Sequence, residues 1–321
     1  MLAGFVLASY AVVANDAIQT LGTFLASNRK RPWWVLWIFA ASILLGVLLW
    51  GWLSHDGDPS YGRLAKIAHP DPFSWLYVLP PLALLLLTRL GMPVSTTFLV
   101  LTVFSPKSLG SMISKSLLGY GVAFVIALVA YLVIAKLVER RFIETSNTPP
   151  SRFWTVLQWG STGFLWAQWL IQDLANIFVY LPRPLDPLML VAALVLMMSM
   201  LAWIFYRGGG PIQKIVTAKT NTGDIRAATI IDLIFGVVLM YFKEHSNIPM
   251  STTWVFLGLL AGRELALTLR LAVRTPAQTG LIVARDMGKA AIGLAVSVVL
   301  ALVLPMMAEA LSVSIAAAAT H

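Results

Sequence analysis

Cysteine is absent from this chain of 321 residues. That excludes disulfides, thiolate metal sites and thiol nucleophiles, and leaves the compartment open. Charge is scarce as well. Asp, Glu, Lys and Arg make up 12% of the residues, about half the ~25% of a soluble domain. The four histidines, His55, His69, His245 and His321, lie scattered without ligand spacing, so metal catalysis has little support. The triple glycine at 208–210 lacks the Lys-Ser/Thr that would make it a phosphate loop, so no nucleotide site is expected. Short alternating strands of the kind that build a membrane barrel are missing too.

What is present is apolar: 59% of the residues are hydrophobic. A bilayer-spanning helix needs about 20 predominantly apolar residues. Trp33–Leu53 meets that length most cleanly, followed by Met112–Ala135, Leu185–Tyr206 and Ile292–Met307. Shorter or interrupted runs cover Phe73–Leu90 and Ala228–Phe242. The expectation is an all-α integral membrane protein with roughly eight to ten segments. The first apolar run has no basic leader or small-residue cleavage site and is expected to stay in the membrane. The net charge of +9 comes from short clusters, including Arg29–Arg31 and Arg140/Arg141. These read as loops touching anionic lipid, not as a nucleic-acid surface. Tryptophans near segment ends, such as Trp33, Trp34, Trp50, Trp52 and Trp154, read as interfacial belts. A prokaryotic inner membrane fits this pattern, and a homodimer through the Trp-rich face of Trp33–Trp52 is a further expectation.

Two spellings recur. "GMPVSTTF" (91–98) and "NIPMSTTW" (247–254) place Ser95 and Ser251 156 residues apart. Asn15-Asp16 in "VVANDAIQTLGTF" matches Gln172-Asp173 in "WLIQDLANIFVYL" at a spacing of 157, and Gln19 then matches Asn176. "SKSLLGYG" (114–121) resembles "GKAAIGLA" (288–295), pairing Lys115 with Lys289. The chain therefore divides into a first repeat over 1–137, a polar linker over 138–152 and a second repeat over 153–321 that contains a polar loop at 207–226. Repeats of this kind are common in secondary transporters, often with inverted topology.

The chemistry is expected at the repeated motifs. A carboxylate inside a membrane is expensive and by default functional. Asp16 and Asp173, with amide and hydroxyl oxygens from Asn15, Gln19, Thr23, Gln172 and Asn176, form hard-oxygen cages suited to a small cation such as Na⁺. Each Ser-Thr-Thr follows Pro-x, and proline fits a first helical turn. Helices starting near Val94 and Met250 would point N–H groups and the hydroxyls of Ser95, Thr96, Thr97, Ser251, Thr252 and Thr253 at one anion. The apolar runs Phe98–Phe104 and Trp254–Leu260 are too short to span alone and suggest broken or re-entrant helices meeting at mid-membrane. The plainer alternative is that these hydroxyls bond back to their own helices. Asp232 is a further cation or proton candidate, or a helix contact. Lys115 and Lys289 either face the cavity or snorkel to the boundary. Glu264 reads as a local ion pair with Arg263.

At these residues the chain resembles the inorganic phosphate transporter (PiT) family. "VANDAIQTLGT" and "LIQDLANIFV" match its acidic motif, "GMPVSTTF" and "NIPMSTTW" its hydroxyl motif, and "GGGPIQKIVTAKTNTGDIRAATIIDL" the loop before the second. The resemblance implies no resident cofactor, Na⁺ or H⁺ as coupling ion, and phosphate, or sulfate as in some relatives, as the cargo. It places Asn15, Asp16, Asp173 and Asn176 at the ion centre and the two hydroxyl triplets on the oxyanion. The departures are Val13 for Gly, Gln19-Thr20 for Asn-Ala, Gln172 for Asn, and Phe98 and Trp254 for the usual His.

The leading expectation is a secondary transporter of an inorganic oxyanion, phosphate first, with sulfate as its competitor. An intramembrane aspartyl protease would use two aspartates but lacks a Gly-x-Gly-Asp context and leaves the hydroxyls without a role. A non-transporting receptor or a passive anion channel are the remaining classes.

Overall fold

A computed structural model describes residues 1–67, 69, 73–245 and 250–318, with the side chains of 243, 245 and 308–318 left out of the description. Every regular element is helical: α1 (Leu2–Ser27), α2 (Trp33–Ser54), α3 (Trp75–Arg89), α4 (Thr97–Leu101 running into Thr102–Phe104), α5 (Pro106–Glu144), α6 (Arg152–Asp173), α7 (Ala175–Phe178), α8 (Pro187–Tyr206), α9 (Gln213–Thr217), α10 (Ile225–His245), α11 (Thr252–Leu271) and α12 (Pro276–Ala318). Six helices among the described residues, namely α1, α2, α5, α8, α10 and α12, are long and apolar enough to cross a membrane. Helices α6 and α11 reach 22 and 20 residues. They carry more polar side chains, and these turn inward. Large apolar side chains face outward along α5 (Leu118, Val125, Val133) and α12 (Ile292, Val299, Met306), as a lipid solvent allows.

Glycine sets the closest helix contacts. A Cβ on Gly258 would come 2.3 Å from the Tyr120 carbonyl oxygen, and one on Gly262 would come 2.2 Å from that of Phe124. The two glycines lie four residues apart on one face of α11, so α11 and α5 pack backbone to backbone. On α10, Gly236 admits the Phe164 ring and the Leu165 backbone of α6 in the same way.

The helix pairing has an internal symmetry. Helix α5, which follows the first hydroxyl triplet, packs on α11, which carries the second. Helix α12, which follows the second triplet, packs on α4 beside the first. Gly119 of α5 would place a Cβ 3.0 Å from Val255 and near Met250, and Gly293 of α12 would place one 3.0 Å from Val94. Val94 and Met250 each directly precede a triplet, and the two glycines share the spacing of Lys115 and Lys289.

Three local features differ from the sequence expectation. The first triplet does open a short helix, ending at Phe104. The second opens a helix of 20 residues that runs well past Leu260, because its charged end is neutralised by partners far away in the chain. Both helices begin two or three residues later than Val94 and Met250, since Ser95 and Ser251 act as caps: each Oγ accepts the N–H three residues on, from Phe98 at 3.2 Å and from Trp254 at 3.4 Å. Pro249, expected to help start the second helix, lies outside the described residues, as does His321. Helix α5 also continues through 138–144, leaving 145–151 as the connection to α6.

Candidate functional site

Both acidic motifs sit where a helix loses regular winding. Asn15 and Asp16 lie in a π-turn, Val13–Ala17, within α1. Asp173 ends α6, and Leu174 separates it from α7. The first hydroxyl triplet runs into a second π-turn, Thr97–Leu101. Such turns re-aim side chains and free backbone groups, and they recur at functional sites.

Eight motif residues converge in a buried centre: Asn15, Asp16, Gln19, Thr96, Asp173, Asn176, Thr252 and Thr253. Asp16 accepts hydrogen bonds from Thr96 Oγ1 at 2.5 Å, Thr253 Oγ1 at 3.2 Å, Asn15 Nδ2 at 3.0 Å and Gln19 Nε2 at 3.3 Å. Asp173 accepts from Thr252 Oγ1 at 2.7 Å and Asn176 Nδ2 at 2.7 Å. Asn176 Nδ2 also donates to Thr96 Oγ1 at 2.8 Å. A continuous chain therefore runs from Asp16 through Thr96 and Asn176 to Asp173 and on to Thr252.

The pattern repeats between the halves. Each carboxylate takes the hydroxyl of the middle triplet residue of its own half, Thr96 or Thr252. Each carboxylate takes an amide N–H from three residues downstream, Gln19 or Asn176. The third triplet hydroxyls cross over: Thr97 donates to the Met250 carbonyl at 3.3 Å, and Thr253 shares its one proton between Asp16 and the Val94 carbonyl, each at 3.2 Å. Ser95 and Ser251 spend their Oγ acceptors on helix caps.

Two buried oxygens in this centre have no hydrogen-bond partner: Gln19 Oε1 and Asn176 Oδ1. They occupy matching positions of the two motifs. An unpaired buried acceptor is costly and calls for a ligand. With the carboxylates they form two sets of hard oxygens, the donor type a small alkali cation takes. Asn15, Asp16, Gln19, Asp173 and Asn176 thus fit a cation on chemistry alone. The structure holds no group of three or more His, Asp or Glu among the described residues that would bind a transition metal.

Other expected residues go elsewhere. Thr23 is one turn beyond Gln19 and donates to Asp232 Oδ1 at 2.5 Å, while Thr162 donates to Asp232 Oδ2 at 2.5 Å. Asp232 is therefore a separate buried carboxylate between α1, α6 and α10. Gln172 turns its amide to the Leu239 carbonyl at 3.1 Å, where its counterpart Asn15 reaches the Val94 carbonyl at 2.5 Å. Lys289 donates to the Gly91 carbonyl at 3.0 Å and lines a pocket of about 360 Å³ with Arg89, Lys214 and Arg285. Lys115 is half-buried on α5. Phe98 and Trp254 pack edge to face with centroids 6.4 Å apart, closing the space just beyond the two triplets.

Glu264 belongs to more than a local pair. Arg263 Nη2 sits 2.6 Å from Glu139 Oε1 and Arg263 Nη1 3.3 Å from Glu264 Oε1, all fully buried. Arg274 and the Thr220 N–H and hydroxyl complete Glu264. Two cations and two carboxylates thus tie α5, α11 and the loop after α9, which explains how charged residues lie inside α11.

One cation was not singled out from the sequence. Arg63 follows α2 in a turn-rich segment, is 8% exposed, and its charge acts on the Asp173 carboxylate. The signal was there in "SHDGDPSYGRLAK" (54–66), where turn residues precede a basic side chain within an otherwise apolar chain.

No protein-family model matches the chain, and no curated protein matches its sequence. Among solved structures, one described as "The sodium-dependent phosphate transporter" aligns over 95% of this chain and 98% of its own, with a TM-score of 0.62 and 14% identity. That likeness shows a shared all-α, multi-spanning fold.

Proposed function

We propose that this protein is a secondary active transporter of an inorganic oxyanion, phosphate first, coupled to Na⁺ or H⁺. The observation that carries this reading is the matched convergence of two buried carboxylates, two hydroxyl triplets and two unpaired amide oxygens at one centre. The halves 1–137 and 153–321 are read as inverted repeats, with 138–152 joining them, and alternating access as movement of one against the other.

The hydrogen bonds suggest how coupling works. A threonine hydroxyl has a single proton to donate. Thr96 and Thr252 give theirs to Asp16 and Asp173. Once a cation or proton satisfies each carboxylate, those hydroxyls are free to turn to an oxyanion. Cation occupancy then makes the anion site, and the cation offsets the anion's charge. A protonated phosphate also brings a donor that a carboxylate can accept, which sulfate lacks at neutral pH.

Labelled phosphate uptake into proteoliposomes, with and without an inward Na⁺ gradient or proton gradient, tests the reading. Gradient-driven uptake that excess sulfate does not block supports it. Sulfate uptake under the same gradient keeps the class and changes the cargo, while gradient-independent flux is the signature of a channel and overturns it.

A further inference from the structure

A second feature, outside the paired centre, is a buried cation held in a clamped segment. The segment after α2 is held from both flanks. Asp58 accepts from the Ser60 N–H at 2.8 Å and the Gly62 N–H at 3.1 Å. Tyr61 anchors to the Val47 carbonyl. Downstream, Arg183 donates to the Leu64 carbonyl at 2.6 Å and the Ile67 carbonyl at 2.8 Å. Gly57 and Gly62 take φ of 86° and 70°, backbone that glycine adopts without strain. Leu64 and Ile67 are buried.

This clamp fixes Arg63, whose guanidinium is buried while its Nη1 has no hydrogen-bond partner. The side chain lines a cavity of about 610 Å³ that also touches Lys66, His55, Glu244 and Ile171. Ile171 belongs to the same helix, α6, as Asp173, and Arg63 lies near enough to the Asp173 carboxylate to feel its charge. Burial lowers the Arg63 pKa to about 10, and the Asp173 carboxylate opposes that shift. The group stays charged at neutral pH. A buried charge with an unused donor is expensive unless a ligand completes it.

The basic pocket beside Lys289 offers a contrast. Its buried cation, Lys219, is already neutralised by Asp286. Arg63 has no such carboxylate within ion-pair distance among the described residues.

We propose that Arg63 forms an outer anion subsite, in which its guanidinium fork holds a tetrahedral inorganic oxyanion in the cavity beside Ile171 before the anion reaches the carboxylate–hydroxyl centre. This deepens the transport reading and rests on it for the identity of the anion. A guanidinium suits the role because two parallel N–H groups match two oxygens of phosphate or sulfate. Asp173 balances the charge from the inner side, which keeps the anion from being held too tightly to pass on.

Equilibrium binding of radiolabelled inorganic phosphate, and separately sulfate, to the full-length protein in detergent tests the subsite, alongside uptake by the same preparations in proteoliposomes. Arg63→Gln is expected to weaken phosphate binding about tenfold or more, the scale of one charge-assisted hydrogen-bond pair. Arg63→Lys, which keeps the charge but loses the fork, is expected to fall between wild type and Arg63→Gln, and it stands in should Arg63→Gln not fold. Unchanged binding in the folded variants, with wild-type uptake intact, overturns the subsite and leaves the transport reading standing. Binding that depends on Arg63 without any uptake supports the subsite and removes the transport reading. No binding of either anion by the wild type overturns both.

Discussion

The two acidic motifs use the same residue types and end in different surroundings. Asp16 is wrapped by four neutral donors: Thr96, Thr253, Asn15 and Gln19. Asp173 takes two, Thr252 and Asn176, and feels the charge of Arg63. The added methylene of Gln172 accounts for part of this. Asn15 is short enough to stay on its own carboxylate and on Val94, whereas Gln172 overshoots to Leu239 on α10. Two motifs of matching residue types are thus unequal in their surroundings. One carboxylate is closed by neutral hydrogen bonds, and the other, equally buried, has fewer of them and feels a nearby cation. We read Asp16 as the more rigid half and Asp173 as the half that meets cargo arriving from the Arg63 side.

The sharpest way to break this comparison is to neutralise each carboxylate. Asp16→Asn and Asp173→Asn are both expected to reduce gradient-driven uptake to background while the protein elutes as a folded species in size-exclusion chromatography. Full uptake in either folded variant removes that carboxylate from coupling. A smaller effect is expected from the hydroxyls. Thr96→Val and Thr252→Val should each lower kcat/KM about tenfold, roughly the loss of one hydrogen bond to a charged group, with Thr→Ser largely restoring it. Equal losses support matched roles, and a loss confined to one half argues that only one triplet meets the anion. The smallest effects separate the departures from the shared pattern. Asn15→Gln should cost severalfold in uptake, because it removes contacts to Asp16 and Val94. Gln172→Asn should cost little in uptake and lower the Tm by a few degrees, since it loses one buried bond of ~1 kcal/mol to the α10 backbone. Uptake assays and thermal unfolding of the two exchanges decide whether the inequality matters for function.

Much of this architecture was readable because polar groups in apolar sequence are costly and therefore stand out. The doubled Asp and Ser-Thr-Thr motifs announce themselves at matching spacings, and the structure brings them together. Gly119 of "SKSLLGYG" and Gly293 of "GKAAIGLA" also prove to occupy matching contacts, at Met250 and Val94. What stayed hidden depends on partners distant in sequence. Thr23 looks like a neighbour of Asp16 along α1, yet its hydroxyl faces Asp232 from another helix. Arg263 and Glu264 look like a local pair, but Glu139, 124 residues away, is what neutralises Arg263. For the same reason α11 extends through charges at which a hydropathy reading stops. The π-turns around Asp16 and Thr97 leave no periodic mark in five residues. Arg63 hides in a segment that reads as an ordinary turn-rich loop, because only its burial and its clamp at Asp58 and Arg183 distinguish it from a surface arginine.

The central claim is that cation occupancy at the two carboxylates creates the oxyanion site. Its most direct test is binding of labelled phosphate to the purified protein as a function of Na⁺ concentration and, separately, of pH, in wild type and in Asp16→Asn/Asp173→Asn. The account expects phosphate affinity in the wild type to rise with Na⁺ or with acidification, and that dependence to vanish in the double variant. Phosphate affinity that is independent of both cations in the wild type, or equally dependent in the double variant, would contradict it.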